Sequence, residues 1–169
     1  MDTFEPYTLE TMTECHGAEI VRILNHYIQN GFIVSYDEPF ADSYIKDMLE
    51  STKGKGYPAF TAKDERGNIV GFCFLRPYNP ASTMKRTAEI AYMIHPDHMR
   101  KGLGTLMLER LKNEALSLGA DNLIASILSR NEESLSFHKK HGFRQVGHLE
   151  AVGEKFGKDF GIIYMQLRI

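Results

Sequence analysis

The sequence has no tryptophan, only two cysteines and no long apolar segment. Two cysteines, Cys15 and Cys73, are too few for a disulfide scaffold, and neither has a Cys/His spacing typical of zinc, so we expect no metal. No apolar run approaches the roughly 20 residues of a membrane-spanning helix. Residues 1–15 are acidic and polar and lack the basic and apolar regions of a secretory signal. We therefore expect a cytoplasmic protein without membrane association.

An excess of positive charge is absent as well. The formal net charge is -2 and the pI is about 6.4, so the chain has no general electrostatic attraction to nucleic acid. Its 169 residues, 43% hydrophobic and 25% charged, suit one soluble globular domain with a core of its own. Because no repeat or linker divides the sequence, we expect a single domain over residues 1–169 and no nucleic-acid partner.

The spacing of apolar residues predicts a mixture of helices and strands. The predicted helices are 17–30, 41–52, 104–118 and 131–140, and the predicted strands are 59–63, 69–75, 87–94, 122–128 and segments near 143–150 and 160–168. The chain thus runs through helices, an antiparallel meander, a strand–helix–strand crossover, a short helix and terminal strands. This order predicts a mixed α/β (α+β) sheet with helices on both faces.

A glycine-rich loop at residues 98–105 (HMRKGLGT) separates a predicted strand from a predicted helix. Gly102 and Gly104 permit a tight turn that leaves backbone N–H groups unpaired at the start of the helix, and such an array binds phosphate groups. Two basic residues in the loop add positive charge. Met107 stands where a dinucleotide fingerprint has its third glycine, and a Gly-Lys-Ser/Thr motif is absent. Nicotinamide dinucleotides and nucleoside triphosphates are therefore disfavoured.

A second pattern follows the next predicted strand, with Asn131, Ser134 and His138 ahead of a Gly-Phe pair. With both patterns in this order, the sequence resembles the GNAT superfamily of acyl-CoA-dependent N-acetyltransferases, and within it the phosphinothricin/L-amino-acid N-acetyltransferase group. The family's loop pattern, Gln/Arg-x-x-Gly-x-Gly/Ala, falls on residues 99–104, with Met in the first place. The resemblance spans roughly residues 5–167.

The resemblance implies a GNAT fold in which two central parallel strands, 87–95 and 121–128, splay apart and admit acetyl-CoA as the cosubstrate. The loop at 99–105 would surround its pyrophosphate. The implied cofactor-binding residues are Met93, Ile94, Asn131 and Ser134 for the pantetheine arm and thioester, and Met99, Arg100, Lys101, Gly102, Leu103, Gly104 and Thr105 for the pyrophosphate. For residues 139–141 (KKH), a solvated helix face and a contact with the 3′-phosphate of CoA both stay open.

Acetyl transfer to an amine needs a base for the nucleophile and a proton for the leaving thiolate. By resemblance Glu89, thirteen residues before Gly102, is the general base, directly or through water, and His138 protonates the thiolate. A solvent-facing strand glutamate and a packed histidine are the respective alternatives. A backbone N–H near Ile94 would hold the oxyanion. Because a thioester already reacts with amines, no covalent enzyme intermediate is needed, and Cys73 is expected to be a buried strand residue.

The acceptor site is expected between the loop at 31–40 and the segment 153–161. The resemblance puts Phe32, Tyr36, Glu38 and Lys155 in its wall. Lys155 would pair with a substrate carboxylate, the alternative being a surface lysine. The family's Trp-x-Asp is replaced by residues 159–161 (DFG), which speaks against phosphinothricin itself as the acceptor.

The sequence therefore predicts an acetyl-CoA-dependent N-acetyltransferase that acts on a small-molecule amine, above all an amino acid or an analogue of the phosphinothricin/methionine-sulfone type. Acceptors such as a protein N-terminus, a polyamine or an aminoglycoside-like amine are alternatives, and the acidic pair at 37–38 leaves polyamines open. A non-catalytic acyl-CoA-binding module is a further alternative. The resemblance also implies a homodimer.

Overall fold

A computed structural model describes residues 6–169. The helices are α1 (Gly17–Gln29), α2 (Tyr44–Lys53), α3 (Leu103–Ser117) and α4 (Glu132–Lys140). The strands are β1 (Tyr7–Thr11), β2 (Ala59–Asp64), β3 (Ile69–Pro77), β4 (Thr87–Ile94), β5 (Asn122–Leu128), β6 (Arg144–Lys155) and β7 (Lys158–Arg168). Three short 3-10 helices complete the described chain: Glu14–His16, Ser82–Met84 and Pro96–His98.

The seven strands form one mixed sheet in the order β1-β2-β3-β4-β5-β7-β6. Neighbouring strands are antiparallel except β4 and β5, which run parallel. The parallel pair needs a crossover, and α3 supplies it. None of the helices in the described part of the chain is both long and apolar enough to cross a membrane.

Helices cover both faces of the sheet because β3 is apolar at successive positions. Cys73 and Leu75 point to one face, where they join the cluster that contains Leu108 and Leu111 of α3. Phe72 and Phe74 point to the other face and join the cluster built on α1 and α2. The alternation of side chains along a strand therefore gives β3 two buried faces. The predicted burial of Cys73 is confirmed.

The ladder between β4 and β5 is short. Only three residue pairs lie in register, from Thr87–Asn122 to Glu89–Ile124, although β4 continues to Ile94 and β5 to Leu128. On its other side β5 stays paired with β7 along its whole length. The two parallel strands therefore diverge after Glu89, as predicted, and a gap opens between their carboxyl ends.

The structure differs from the predicted elements chiefly at the ends of the sheet. Strand β1 was not predicted, because its five residues carry only weak alternation next to polar neighbours. The terminal strands are longer than predicted and form a hairpin, with irregular register between Leu149 and Gly153. The two residues at its turn, Phe156 and Gly157, both have positive φ angles, of 54° and 68°. Two positive φ angles in a two-residue turn match the right-handed twist of the two strands that the turn joins.

Candidate active site

A cavity of about 430 Å³ lies beside the gap between β4 and β5, on the side of the glycine loop. It is walled by the end of β4, the glycine loop and one face of α4. The lining residues are Tyr27, Ile33, Tyr92, Met93, Ile94, Met99, Arg100, Gly102, Gly104, Thr105, Asn131, Glu133, Ser134, Phe137, Lys140 and His141. Nine of the eleven predicted cofactor-binding residues are among them, so the two sequence patterns meet in one cavity.

The glycine loop presents backbone amides at the start of α3. Gly102 has a φ of 89°, a left-handed conformation that side chains rarely adopt. The first hydrogen bond of the helix runs from the Leu106 N–H to the Gly102 carbonyl (3.1 Å), so the amides at 103–105 have no acceptor within the helix. Amides at the positive end of a helix bind anions. A methyl group on Gly104 would lie 3.2 Å from the Phe137 ring, so glycine also keeps this wall open.

Two basic side chains, of Arg100 and Lys140, line this cavity. Arg100 lines it and pairs with Glu133 (2.9 Å), which reduces the effect of that carboxylate on an anion. Lys140, near the end of α4, also lines the cavity. The two predicted residues that do not line it are Lys101, which is exposed, and Leu103, whose side chain is buried in the core beneath the loop.

The backbone of β4 turns towards the gap at Ile94. The His95 N–H donates to the Val70 carbonyl (2.7 Å) on β3, and because strand residues alternate, the backbone groups of Ile94 face away from β3. The Tyr27 hydroxyl donates to the Ile94 carbonyl (2.6 Å) and contacts the Met99 sulfur (3.3 Å). Burial raises the pKa of Tyr27 to about 12, so this hydroxyl keeps its proton.

A second cavity, of about 600 Å³, occupies the opposite side of the gap. It is walled by residues 33–36 and by the divergent parts of β4 and β5, and it includes Glu89, Ser126 and Arg76. It shares five lining residues with the first cavity: Ile33, Tyr92, Met93, Asn131 and Ser134. The two cavities therefore meet at the gap, one suited to an anion and the other lined by an ion pair.

Glu89 lies where the strands separate. Its carboxylate accepts two hydrogen bonds from the Arg76 guanidinium, from Nε (2.9 Å) and from a terminal nitrogen (2.7 Å), and a third from the Ser126 hydroxyl (3.0 Å). Its side chain is 15% exposed, whereas that of Arg76 is 51% exposed. Arg76 is the one lysine or arginine among the described residues lining this cavity.

His138 lines the second cavity, next to Tyr92 and Ser134, which line both cavities. It is 3% exposed, its Nδ1 lies 2.7 Å from the Ser134 carbonyl and its Nε2 lies 2.6 Å from the Tyr92 hydroxyl. Because a carbonyl only accepts, Nδ1 carries the proton and Nε2 accepts from Tyr92. Burial lowers the pKa of His138 to about 4, so the ring is neutral near pH 7. The Asn131 side chain caps the same helix by accepting from the Ser134 N–H (3.1 Å).

The four predicted acceptor residues occupy different places. Tyr36 lines the second cavity. Phe32 lies against the Phe156 and Phe160 rings, and exposed Glu38 is not among the described lining residues of either cavity. Lys155 is 3% exposed, and its ammonium donates to the Val34 carbonyl (3.0 Å). The structure thus brings only Tyr36 of this set into the cavity wall.

Four residues of the site were not predicted: Tyr27, Arg76, Tyr92 and Ser126. Tyr27 has the spacing of a core residue on α1, and nothing in the sequence indicates that its hydroxyl reaches β4. Arg76 faces Glu89 through the β3–β4 register, which a long connection at 78–86 leaves undefined in the sequence. Only Tyr92 could have been found from the sequence, because it lies on β4 between the predicted site residues Glu89 and Ile94.

Comparisons with known proteins agree with this geometry. The model of the acetyltransferase (GNAT) family matches residues 21–143. An L-amino acid N-acyltransferase, MnaT of Escherichia coli, is 32% identical over 153 residues, covering 90% of this chain and 88% of the relative. A phosphinothricin N-acetyltransferase of Alcaligenes faecalis is 29% identical over 148 residues, 87% of this chain and 75% of the relative.

A solved structure of yncA from Salmonella typhimurium, with its cofactor acetyl-CoA, has a TM-score of 0.88 and 27% sequence identity, and the match covers 96% of this chain and 94% of that one. The fold is therefore that of an acetyltransferase with a splayed sheet. The chain belongs to the GNAT acetyltransferase family. The predicted family, fold, enzyme class and acetyl-CoA cosubstrate are confirmed.

The neutral state of His138 predicts a loss of stability in acid. Its pKa in the folded protein lies below the ordinary value of 6.5, so the unfolded state binds more protons between these two values. The contribution is complete above pH 6.5 and is lost as the pH falls towards 4. The free energy of unfolding would be measured with urea at pH 7.5 and at pH 5.0. Its fall between these pH values should be about 2 kcal/mol larger in the wild type than in His138→Gln, which lacks the histidine. The exposed His26→Gln variant is the control, and an equal pH response in all three proteins would contradict the prediction.

Proposed function

We propose that this chain transfers the acetyl group of acetyl-CoA to the α-amine of an amino acid or an amino-acid analogue. The observation that carries the proposal is the Arg76–Glu89 ion pair in the second cavity. An amino acid carries a carboxylate and an ammonium a few ångströms apart. A cation and an anion side by side match both groups, whereas a simple amine needs only the anion.

In this proposal Arg76 binds the acceptor carboxylate. Its guanidinium has five N–H groups, and two of them donate to Glu89, which leaves three for an acceptor. About half of the side chain is exposed. A polyamine would bring a second positive charge towards Arg76 and is therefore disfavoured. The acidic pair at 37–38 does not offset this, because neither residue is among the described lining residues of the cavity.

The first cavity would hold acetyl-CoA, and its residues fit that molecule. The amides at 103–105 would hold the pyrophosphate, the Ile94 N–H would face the pantetheine arm, and Lys140 would neutralise a further phosphate. Met93 lines both cavities, so the thioester end would reach the wall that they share. When bound, acetyl-CoA supplies an activated acyl group, and the chain's own residues orient it and handle protons.

Glu89 is proposed as the base that takes a proton from the acceptor ammonium, directly or through water. The amine nitrogen would then add to the acetyl carbon, and as the bond from that carbon to sulfur breaks, the nitrogen would lose its second proton and the thiolate would gain one. We assign this transfer to the Tyr92–His138 pair: the Tyr92 hydroxyl, which donates to the neutral His138 ring, would give its proton to the thiolate, and the second amine proton would replace it. A backbone N–H near Ile94 would stabilise the oxyanion.

The relatives support an amino-acid acceptor, because one is named an L-amino acid N-acyltransferase and another a phosphinothricin N-acetyltransferase. We also propose that residues 1–169 act as one domain, as a homodimer, in the cytoplasm. Val146, Leu149 and Val152 of the edge strand β6 are each about half exposed and would suit a subunit contact. The exposed thiol of Cys15 suits a reducing compartment.

Arg76→Gln tests the acceptor class. Losing a charge-assisted contact with a carboxylate costs about 1.5–3 kcal/mol, so the KM for an amino acid should rise roughly 10- to 100-fold, with the KM for acetyl-CoA within about twofold. Thiol release from acetyl-CoA would be measured with a panel of L-amino acids and the matching amines that lack the carboxylate. The amines should respond little to the change. Exposed Arg66→Gln is the control, and wild-type preference for amines without a carboxylate would refute the assignment.

Glu89→Gln tests the base. The amide keeps hydrogen-bonding capacity towards Arg76 and Ser126 but binds a proton poorly, so kcat should fall by roughly 10²- to 10⁴-fold. Acetyl-CoA affinity, measured by calorimetry, should change little. Ser126→Ala, which removes only the third hydrogen bond of the carboxylate, is the matched control. Equal losses of turnover and acetyl-CoA affinity would mean that Glu89 has only a structural role.

Lys140→Gln tests the placement of acetyl-CoA. If Lys140 meets the 3′-phosphate, its loss should weaken CoA binding about fivefold, the value of an exposed charge pair near 1 kcal/mol. Binding of dephospho-CoA, which lacks that phosphate, should not change. Lys139→Gln is the matched control, because Lys139 is exposed on the same helix and does not line the cavity. A similar loss for both ligands would place the 3′-phosphate elsewhere.

A further inference from the structure

The segment that walls the second cavity has no regular secondary structure of its own. It connects α1 to α2 through residues 30–43, and four consecutive residues, 33–36, line the cavity. An irregular connection of this length keeps one conformation only where other elements hold it. The contacts that hold it therefore bear on the shape of the cavity.

One anchor lies at the far end of the segment. The Asn25 amide, on α1, donates to the Phe40 carbonyl (2.9 Å) and accepts from the Phe40 N–H (2.8 Å). This pair fixes the chain where it approaches α2. It leaves the cavity-lining residues 33–36 to be held by something else.

The second anchor comes from the distant β6–β7 hairpin. The Lys155 ammonium donates to the Val34 carbonyl (3.0 Å) and lies 3.5 Å from the Tyr27 carbonyl, in the last turn of α1. Carbonyls in that turn have no partner within the helix and favour a cation. The salt bridges found among the described residues do not include Lys155. Burial lowers the pKa of Lys155, and the nearby Asp37 carboxylate opposes this shift.

The turn of the hairpin adds an aromatic contact to the same segment. Phe156 has a φ of 54°, a conformation in which a bulky side chain is strained. Its ring meets the edge of the Phe32 ring, with 5.9 Å between centroids, and Phe160 lies 6.3 Å from Phe32. Strain of this kind persists where surrounding contacts determine the conformation. The hairpin thus holds the segment on both sides of Ile33.

We propose that Lys155 is a positioning residue for the acceptor: by binding the Val34 carbonyl it fixes the wall at 33–36, so that the β6–β7 hairpin sets acceptor affinity without touching the acceptor. This inference rests on the proposed function for the identity of the second cavity. It separates Lys155 from Arg76, which would bind the acceptor directly. Lys155, as a positioning residue, should affect the KM for the acceptor by fixing the conformation of residues 33–36.

The test compares Lys155→Met with Lys155→Arg and with Lys158→Met. Lys158 pairs with Lys155 across the hairpin but is exposed, so it is a matched control. In Lys155→Met the KM for the amine that the wild type acetylates best should rise about tenfold, since the partly buried Val34 carbonyl loses its donor. The KM for acetyl-CoA should stay within about twofold. Lys155→Arg should restore part of the acceptor affinity, and Lys158→Met should match the wild type.

Amide hydrogen exchange gives a second readout that needs no acceptor. Exchange at 33–36 should be faster in Lys155→Met than in wild type and Lys158→Met. An unchanged acceptor KM, or equal rises in the KM of both substrates, would overturn the inference. Should Lys155→Met not fold, Phe156→Gly relieves the strained φ and removes the Phe32 contact. It should then speed exchange at 33–36 and raise the acceptor KM, and a lack of both effects would overturn the inference.

The arms of the test also separate this inference from the proposed function. If the wild type acetylates amines but no amino acid, the proposed acceptor class fails, and the Lys155 comparison is made with the amine that reacts. If amino acids react and Lys155→Met leaves their KM unchanged, the inference fails and the acceptor class stands.

Discussion

The site depends on the early end of the β4–β5 ladder. Three residue pairs hold the parallel strands together up to Glu89 and Ile124, and beyond them no strand among residues 6–169 pairs with β4 on that side. Backbone groups left unpaired inside a protein are costly, so something has to meet them. At Ile94 the Tyr27 hydroxyl already takes the carbonyl. The other backbone groups of β4 that face the gap can pair with an extended ligand, so the gap can serve as a binding groove.

The two cavities at this break differ in how they handle charge. The first combines backbone dipoles at the start of α3, which stabilise an anion, with the positive charges of Arg100 and Lys140. The second contains a carboxylate and a guanidinium that pair with each other. His138, which lines the second cavity, has its pKa lowered by burial and is neutral near pH 7, so it adds no third charge beside this ion pair.

The sequence predicted most of the fold and much of the cosubstrate cavity because the signals there are local. The period of apolar residues identifies α1 and α3, and the glycine loop lies next to the helix whose amides it exposes. Glu89 and His138 were assigned their roles through the family resemblance that these patterns carry. Strand β1 was missed because five residues at the edge of a sheet carry little periodicity. Arg76 was missed because its meeting with Glu89 depends on a register across residues 78–86.

The acceptor side is harder to predict because its determinants lie far apart in the chain. Lys155 reaches Val34 across 121 residues, and this contact could not be predicted from the family resemblance, which suggested that Lys155 pairs with a substrate carboxylate. A buried lysine is costly without hydrogen-bond partners, and here backbone carbonyls supply them. Carbonyls are present at every residue, so such a contact leaves no trace in the sequence on the accepting side. Relatives can therefore share the local cosubstrate patterns and still differ in the long-range contacts that shape the acceptor cavity.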